Sequence, residues 1–210
     1  MLLHAGQGSV RDLVHAAAVM ISTAAPARLS LVAVLATLAT AWAIASTAAG
    51  AGNAWSAYLA PVGACKGSTD AAAPALVQRR AMRCLVNWAR ARHRQQGLSP
   101  SSSLRRAAAL KGRGVVACRE VSHTPCGSDA TAALRKTGYR YARFAENLYL
   151  GSRGSTTPRD VVSTWLQSHP HRENMLRPGF RDVGTALVRA DGVFHEGAAV
   201  VWIVAFASPR

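Results

Sequence analysis

Three short stretches concentrate the side chains that bind metals or move protons near neutral pH. They are Ser122-His123-Thr124, Ala145-Glu146-Asn147-Leu148, and Trp165-Leu166-Gln167-Ser168 running into His171-Arg172-Glu173-Asn174-Met175-Leu176. Imidazole titrates in the physiological range and responds to a nearby carboxylate, so His and Glu suit acid–base work. Familiar catalytic signatures are missing. The chain has no H-E-x-x-H helix motif of a metalloprotease and no Ser-His-Asp signature. Nor has it a C-x-x-C pair, which argues against a zinc site built from the four cysteines. The other histidines read more plainly. His169 stands before Pro170 at a helix end, His93 follows an arginine-rich helix face, His195 falls in an expected loop, and His4 and His15 go with the leader.

These stretches need elements to hold them. Over 76–97, Leu76, Val77, Ala81, Cys84, Leu85 and Trp88 make one apolar helix face that ends at Gly97. Residues 98–117 repeat the arrangement more weakly. Ser101 to Ser103 offer an N-cap, Leu104, Ala107, Ala108 and Leu110 follow, and Gly112 and Gly114 interrupt. Asp129 can cap a short helix that stops at Gly138. Thr157-Pro158 is a good helix start, followed by an apolar stripe of Val161, Val162 and Trp165, with Pro170 just past the end. Trp88 and Trp165 are expected in the core. Residues 183–188 and 198–206 are β-rich and joined by the turn Ala190-Asp191-Gly192. Three or four helices followed by antiparallel strands predict an α+β architecture.

The front of the chain is different in kind. Residues 29–49 are uncharged and apolar, preceded by Arg28 and followed by small residues. These are the parts of a secretory signal, so residues 1–51 read as a leader with cleavage at Ala49-Gly50-Ala51 or Ala43-Ile44-Ala45. Translation from Met20 would shorten a long leader. The competing reading is an uncleaved anchor, because about 20 apolar residues span a bilayer. Both readings export the rest: a linker over 52–75 and a domain over 76–210. Four cysteines fit an oxidising compartment and allow three pairings. A bridge between Cys65 and Cys84 would staple the amino-terminal segment, and one between Cys118 and Cys126 would hold the loop carrying His123. Residues 52–210 carry 23 basic and 9 acidic side chains, or +14, so the basicity belongs to the exported part. Such a surface attracts anions.

Taken in order, the three stretches resemble the bacterial branch of the CAP superfamily, named for cysteine-rich secretory proteins, antigen five and pathogenesis-related proteins. Its members carry S-H-T, G-Y, E-N-I/L, a helix ending W-L-x-S, H-R-x-N-I/L, and F-x-x-V-G before a strand hairpin. Gly138-Tyr139 and Phe180-Arg181-Asp182-Val183-Gly184 supply the remaining motifs here, so the resemblance runs from about Leu76 to Phe206. It implies an α-β-α sandwich with a small antiparallel sheet between helices. It also implies a cleft holding His123, His171 and Glu146, with Asn147, Ser168 and Arg172 close by. Eukaryotic members often place a second Glu where Ser168 stands, and Gly is usual where Ala145 stands; Val204-Ala205-Phe206 lacks the usual polar residue before the last Phe.

In such a cleft, two neutral imidazoles and one carboxylate can bind a divalent metal such as zinc with positions left open, or share protons. The alternative is that Glu146 bridges the histidines and fixes the loops, while Asn147 and Asn174 satisfy backbone groups. Arg172 either meets an anionic ligand or pairs with a carboxylate. Relatives are associated with sterols and other lipids, so the first expectation is a monomeric extracellular binding module for lipid or anionic cell-envelope polymer. A metal-dependent peptidase using the same cleft comes second. Nucleic-acid binding through charge alone ranks last, because no aromatic platform accompanies the arginines.

Overall fold

The computed structural model describes residues 54–194 and 197–210. The leader, its candidate cleavage sites, the apolar stretch 29–49 and His195 lie outside the described residues. Strands β1 (Ser99–Pro100), β2 (Tyr141–Ser152), β3 (Asp182–Arg189) and β4 (Ala199–Pro209) form one sheet in the order β1-β3-β4-β2. The long pairings of β4 with β2 and β3 are antiparallel, and only the two-residue β1 runs parallel to its neighbour. The hairpin expected from the β-rich carboxyl end is β3–β4. Strand β2 is an addition, because its Glu146-Asn147 pair breaks the apolar pattern that a strand ordinarily shows.

Strand β4 explains the three layers. Successive side chains of a strand point to opposite faces. Val200, Trp202, Val204 and Phe206 enter the core with α1 (Ala75–Arg92), α4 (Pro158–Gln167) and α5 (His169–Leu176). Val201, Ile203, Ala205 and Ala207 enter the core with α2 (Ser102–Cys118) and α3 (Ala132–Thr137). The result is an α-β-α sandwich, as expected.

Several local expectations change. Helix α2 runs unbroken through Gly112 and Gly114. Gly112 serves close approach instead: a Cβ there would lie 2.7 Å from Val188 Cγ2. Helix α1 ends at Arg92, before Gly97, and its buried face is Gln78, Ala81, Met82, Leu85, Val86, Ala89 and Arg90. Trp88 is 37% exposed and Leu76 50% exposed, so the apolar stripe is rotated from the one expected, while Trp165 is fully buried. Asp129 does not cap α3; it binds the Thr131 backbone and hydroxyl instead. Pro170 lies in the first turn of α5, a second helix that follows α4 directly. The described part of the expected linker is folded onto the domain, with Ala60 and Cys65 buried. Cys65 bonds Cys84 and Cys118 bonds Cys126.

Candidate functional site

The site forms at the β2 edge of the sheet. Phe144, Leu148 and Leu150 pack into the α2–α3 core, whereas Ala145 and Tyr149 pack on the opposite side. Alternation therefore sends Glu146 toward α2 and Asn147 toward α4 and α5. Two adjacent residues thus reach into both helical layers.

On the α2 side, Glu146 is buried and accepts a hydrogen bond from His123 Nδ1 at 3.0 Å. Lys111 Nζ is 4.0 Å from the same carboxylate oxygen and also donates to the His123 carbonyl. The Lys111 side chain is 4% exposed, against 56% for His123. A buried ammonium needs a carboxylate partner, and a buried carboxylate needs donors. Lys111 and His123 supply what Glu146 requires. The His123 loop is closed by the Cys118–Cys126 bridge, and Cys126 N donates to Glu120 Oε2 at 3.0 Å.

On the other side, Ser168 links α4 to α5. Its Oγ lies 2.8 Å from His171 Nδ1, and the imidazole stacks on Trp165 with centroids 6.2 Å apart. Asn147 is fully buried; its Nδ2 donates to the His171 carbonyl at 2.9 Å. Asn174 Nδ2 donates to Asn147 Oδ1 at 3.0 Å and to the Glu146 carbonyl at 3.3 Å. Trp165 Nε1 donates to the Leu148 carbonyl at 3.2 Å. The polar residues of three motifs therefore sew β2 to the helical layer. Burial lowers the affinity of His171 for a proton, and the nearby charge of His123 lowers it further. His171 is neutral at pH 7.

This arrangement changes the expected metal set. Among the described residues, no three His, Cys, Asp or Glu side chains are grouped so as to hold a metal ion. Glu146 faces an ammonium and an imidazole N–H, so it acts as an orienting partner, and only the two Nε2 atoms remain as donors. The three-ligand centre expected from His123, His171 and Glu146 does not fit. Arg172 also has another use. Its Nη1 donates to the Leu166 carbonyl at 2.8 Å and its guanidinium lies 4.0 Å over the Trp55 ring.

A profile of the Cysteine-rich secretory protein family, CAP, matches residues 84–206. The chain belongs to this family. The YkwD protein of Bacillus subtilis is 27% identical over 141 residues, covering 65% of this chain and 53% of that protein. The chain thus spans about half the length of that relative. An outer surface protein of Borrelia burgdorferi superposes with a TM-score of 0.57 at 16% identity, covering 66% of this chain and 97% of that one. An extracellular SCP-domain protein of Bacillus anthracis gives 0.51 at 18%, covering 62% and 40%. Two further CAP motifs meet through Tyr139, whose hydroxyl donates to Asp182 Oδ2 at 2.6 Å. Burial and that carboxylate hold the phenol well above its ordinary pKa.

Lys111 is the site residue that the sequence reading missed. Its signal was present. Leu104, Ala107, Ala108, Lys111 and Val115 all lie on the buried stripe of α2, which places a cation where an acid must answer it.

Proposed function

We propose that this CAP protein is an exported binding module whose His123–Glu146–His171 cleft takes a polar group of a lipid or cell-envelope ligand. One observation carries the reading. Each Nδ1 is engaged inside the protein, by Glu146 and by Ser168, which leaves both Nε2 atoms for a ligand. Rings fixed in this way are preorganised, and preorganisation lowers the entropy lost on binding. Export is supported by the extracellular and outer-surface location named for similar proteins. It is also consistent with the two disulfides and with the absence, among the described residues, of a helix long and apolar enough to cross a membrane.

The test is co-sedimentation of the chain with lipid vesicles and with purified wall polymer at near-physiological salt. The wild type is expected to bind one of them, and His123→Ala with His171→Ala to lose that binding while melting like the wild type. No binding to either, or equal binding by the double variant, would remove the cleft from the function.

A further inference from the structure

The opposite edge of the sheet carries a feature that the histidine cleft does not use. Strand β1 is only two residues long, so it covers β3 at Asp182 and Val183 and leaves the β3 edge open beyond them. A groove of about 500 Å³ opens there, lined by Leu76, Arg79, Arg80 and Arg83 of α1, by Arg105 of α2 and by Thr185 of β3. It holds four guanidinium groups and no carboxylate.

The arginines come from two elements at regular spacing. Arg79, Arg80 and Arg83 follow Leu76 at three, four and seven residues, which is one stripe of a helix. Arg105 faces them from α2, close enough to oppose the charge on half-buried Arg79. None of the four has a hydrogen-bond or ion-pair partner among the described residues. Like charges gathered without a counterion cost stability, so the fold alone gives no reason to collect them.

Two further features point to an anion. Helix α2, 17 residues long, begins at this groove with Ser101 as N-cap and no acidic residue in its first turn. Its positive end therefore faces the space between the arginines. Thr185 also lines the groove, and its hydroxyl makes no hydrogen bond among the described residues, which leaves it open to a ligand there.

We propose that this groove is a second ligand site, which binds a phosphoryl group through the forks of Arg79, Arg80, Arg83 and Arg105, the start of α2 and the Thr185 hydroxyl. Guanidinium forks match phosphate oxygens bidentately and outperform a lysine patch in this role. The phosphoryl group belongs either to a soluble or polymeric phosphate or to a lipid headgroup. The site goes beyond the histidine cleft and shares no residue with it.

Inorganic phosphate, titrated into the full chain at constant ionic strength, tests the site by thermal shift and calorimetry. Vesicles of phosphatidylglycerol, against phosphatidylcholine alone, form the second arm. Phosphate is expected to raise the melting temperature more than chloride does. Arg79→Gln with Arg105→Gln should lose most of that gain, whereas Arg113→Gln with Arg140→Gln, an equal change of charge elsewhere, should keep it. Thr185→Val preserves shape and removes the hydroxyl; it is expected to weaken binding about tenfold. A response to phosphate assigns a free or polymeric ligand, and a response to anionic vesicles alone assigns a headgroup; both support the site if the groove variants abolish them. The same response in both double variants, or equal stabilisation by chloride, overturns it. Folding does not confound the result, because removing unpaired like charges should leave the ligand-free melting temperature unchanged or raise it. The His123→Ala, His171→Ala variant should retain the phosphate response, so the two sites fail separately.

Discussion

Neutral His171 and the buried Lys111–Glu146 pair each make a prediction at the level of single residues. The fold lowers the His171 pKa, by burial first and by the His123 charge second. An unfolded histidine titrates near 6.5, so below about that pH the unfolded chain binds more protons at this position than the folded one. Stability should therefore fall as pH drops through 6.5 toward the lower folded value, and this contribution should be flat above it. Urea midpoints at pH 7.5, 6.0 and 5.0 measure the slope, and His171→Gln should make it shallower; an unchanged slope would place the effect elsewhere. For the ion pair, Lys111→Met strands a buried carboxylate and is expected to cost on the order of 3 kcal/mol. Adding Glu146→Leu should recover part of that loss, and denaturant unfolding of both variants reads the coupling; a purely additive cycle would count against the pair. The sequence made His123, Glu146, His171, Asn147 and Ser168 legible through their ordered motifs. It did not make their division of labour legible. Whether Glu146 orients an imidazole or joins a metal depends on Lys111, 35 positions away in sequence, and on the strand alternation that brings them together.

Helix α2 and strand β3 approach closely at Gly184. A Cβ there would lie 2.2 Å from the Leu104 carbonyl carbon and 2.4 Å from Arg105 N, both backbone atoms that cannot rotate away. Gly184→Ala is expected to destabilise by about 3 kcal/mol, at the upper end of ordinary overpacking. A melting curve or a urea transition checks it, and a change under about 0.5 kcal/mol would mean that α2 can slide. The V-G motif thus has a packing reason, and the G-Y motif joins it through the Tyr139–Asp182 hydrogen bond. Elements with strong local signals were legible: the Thr157-Pro158 helix start, Gly138 at the end of α3, and the β3–β4 hairpin. Elements decided by tertiary partners were not. The α1 face turned because Arg90, a residue that reads as surface, is 1% exposed and donates to the carbonyls of Gln96, Met175 and Arg177. Strand β2 was hidden because Glu146 and Asn147 are buried polar residues whose partners all lie elsewhere in the chain.

The whole molecule is governed by an imbalance of charge. Residues 52–210 hold 23 basic side chains against 9 acidic ones, so most arginines have no acid to pair with. The exposed pairs Arg135–Asp129, Arg153–Asp191 and Arg177–Glu173 contribute little, and salt weakens them. General repulsion among the remaining cations is also screened, since the Debye length falls from about 30 Å at 0.01 M salt to about 10 Å at 0.1 M. The two effects oppose one another, and the count decides between them. With a net +14, relief of repulsion outweighs the loss of the three exposed pairs found among the described residues. The melting temperature should therefore rise by a few degrees between 0.01 and 0.3 M sodium chloride. Arg113→Gln with Arg140→Gln should begin higher and rise less, because it starts with less repulsion to relieve. Differential scanning calorimetry measures both. A melting temperature that falls with chloride would mean that the exposed pairs, and not net repulsion, dominate the electrostatics of folding.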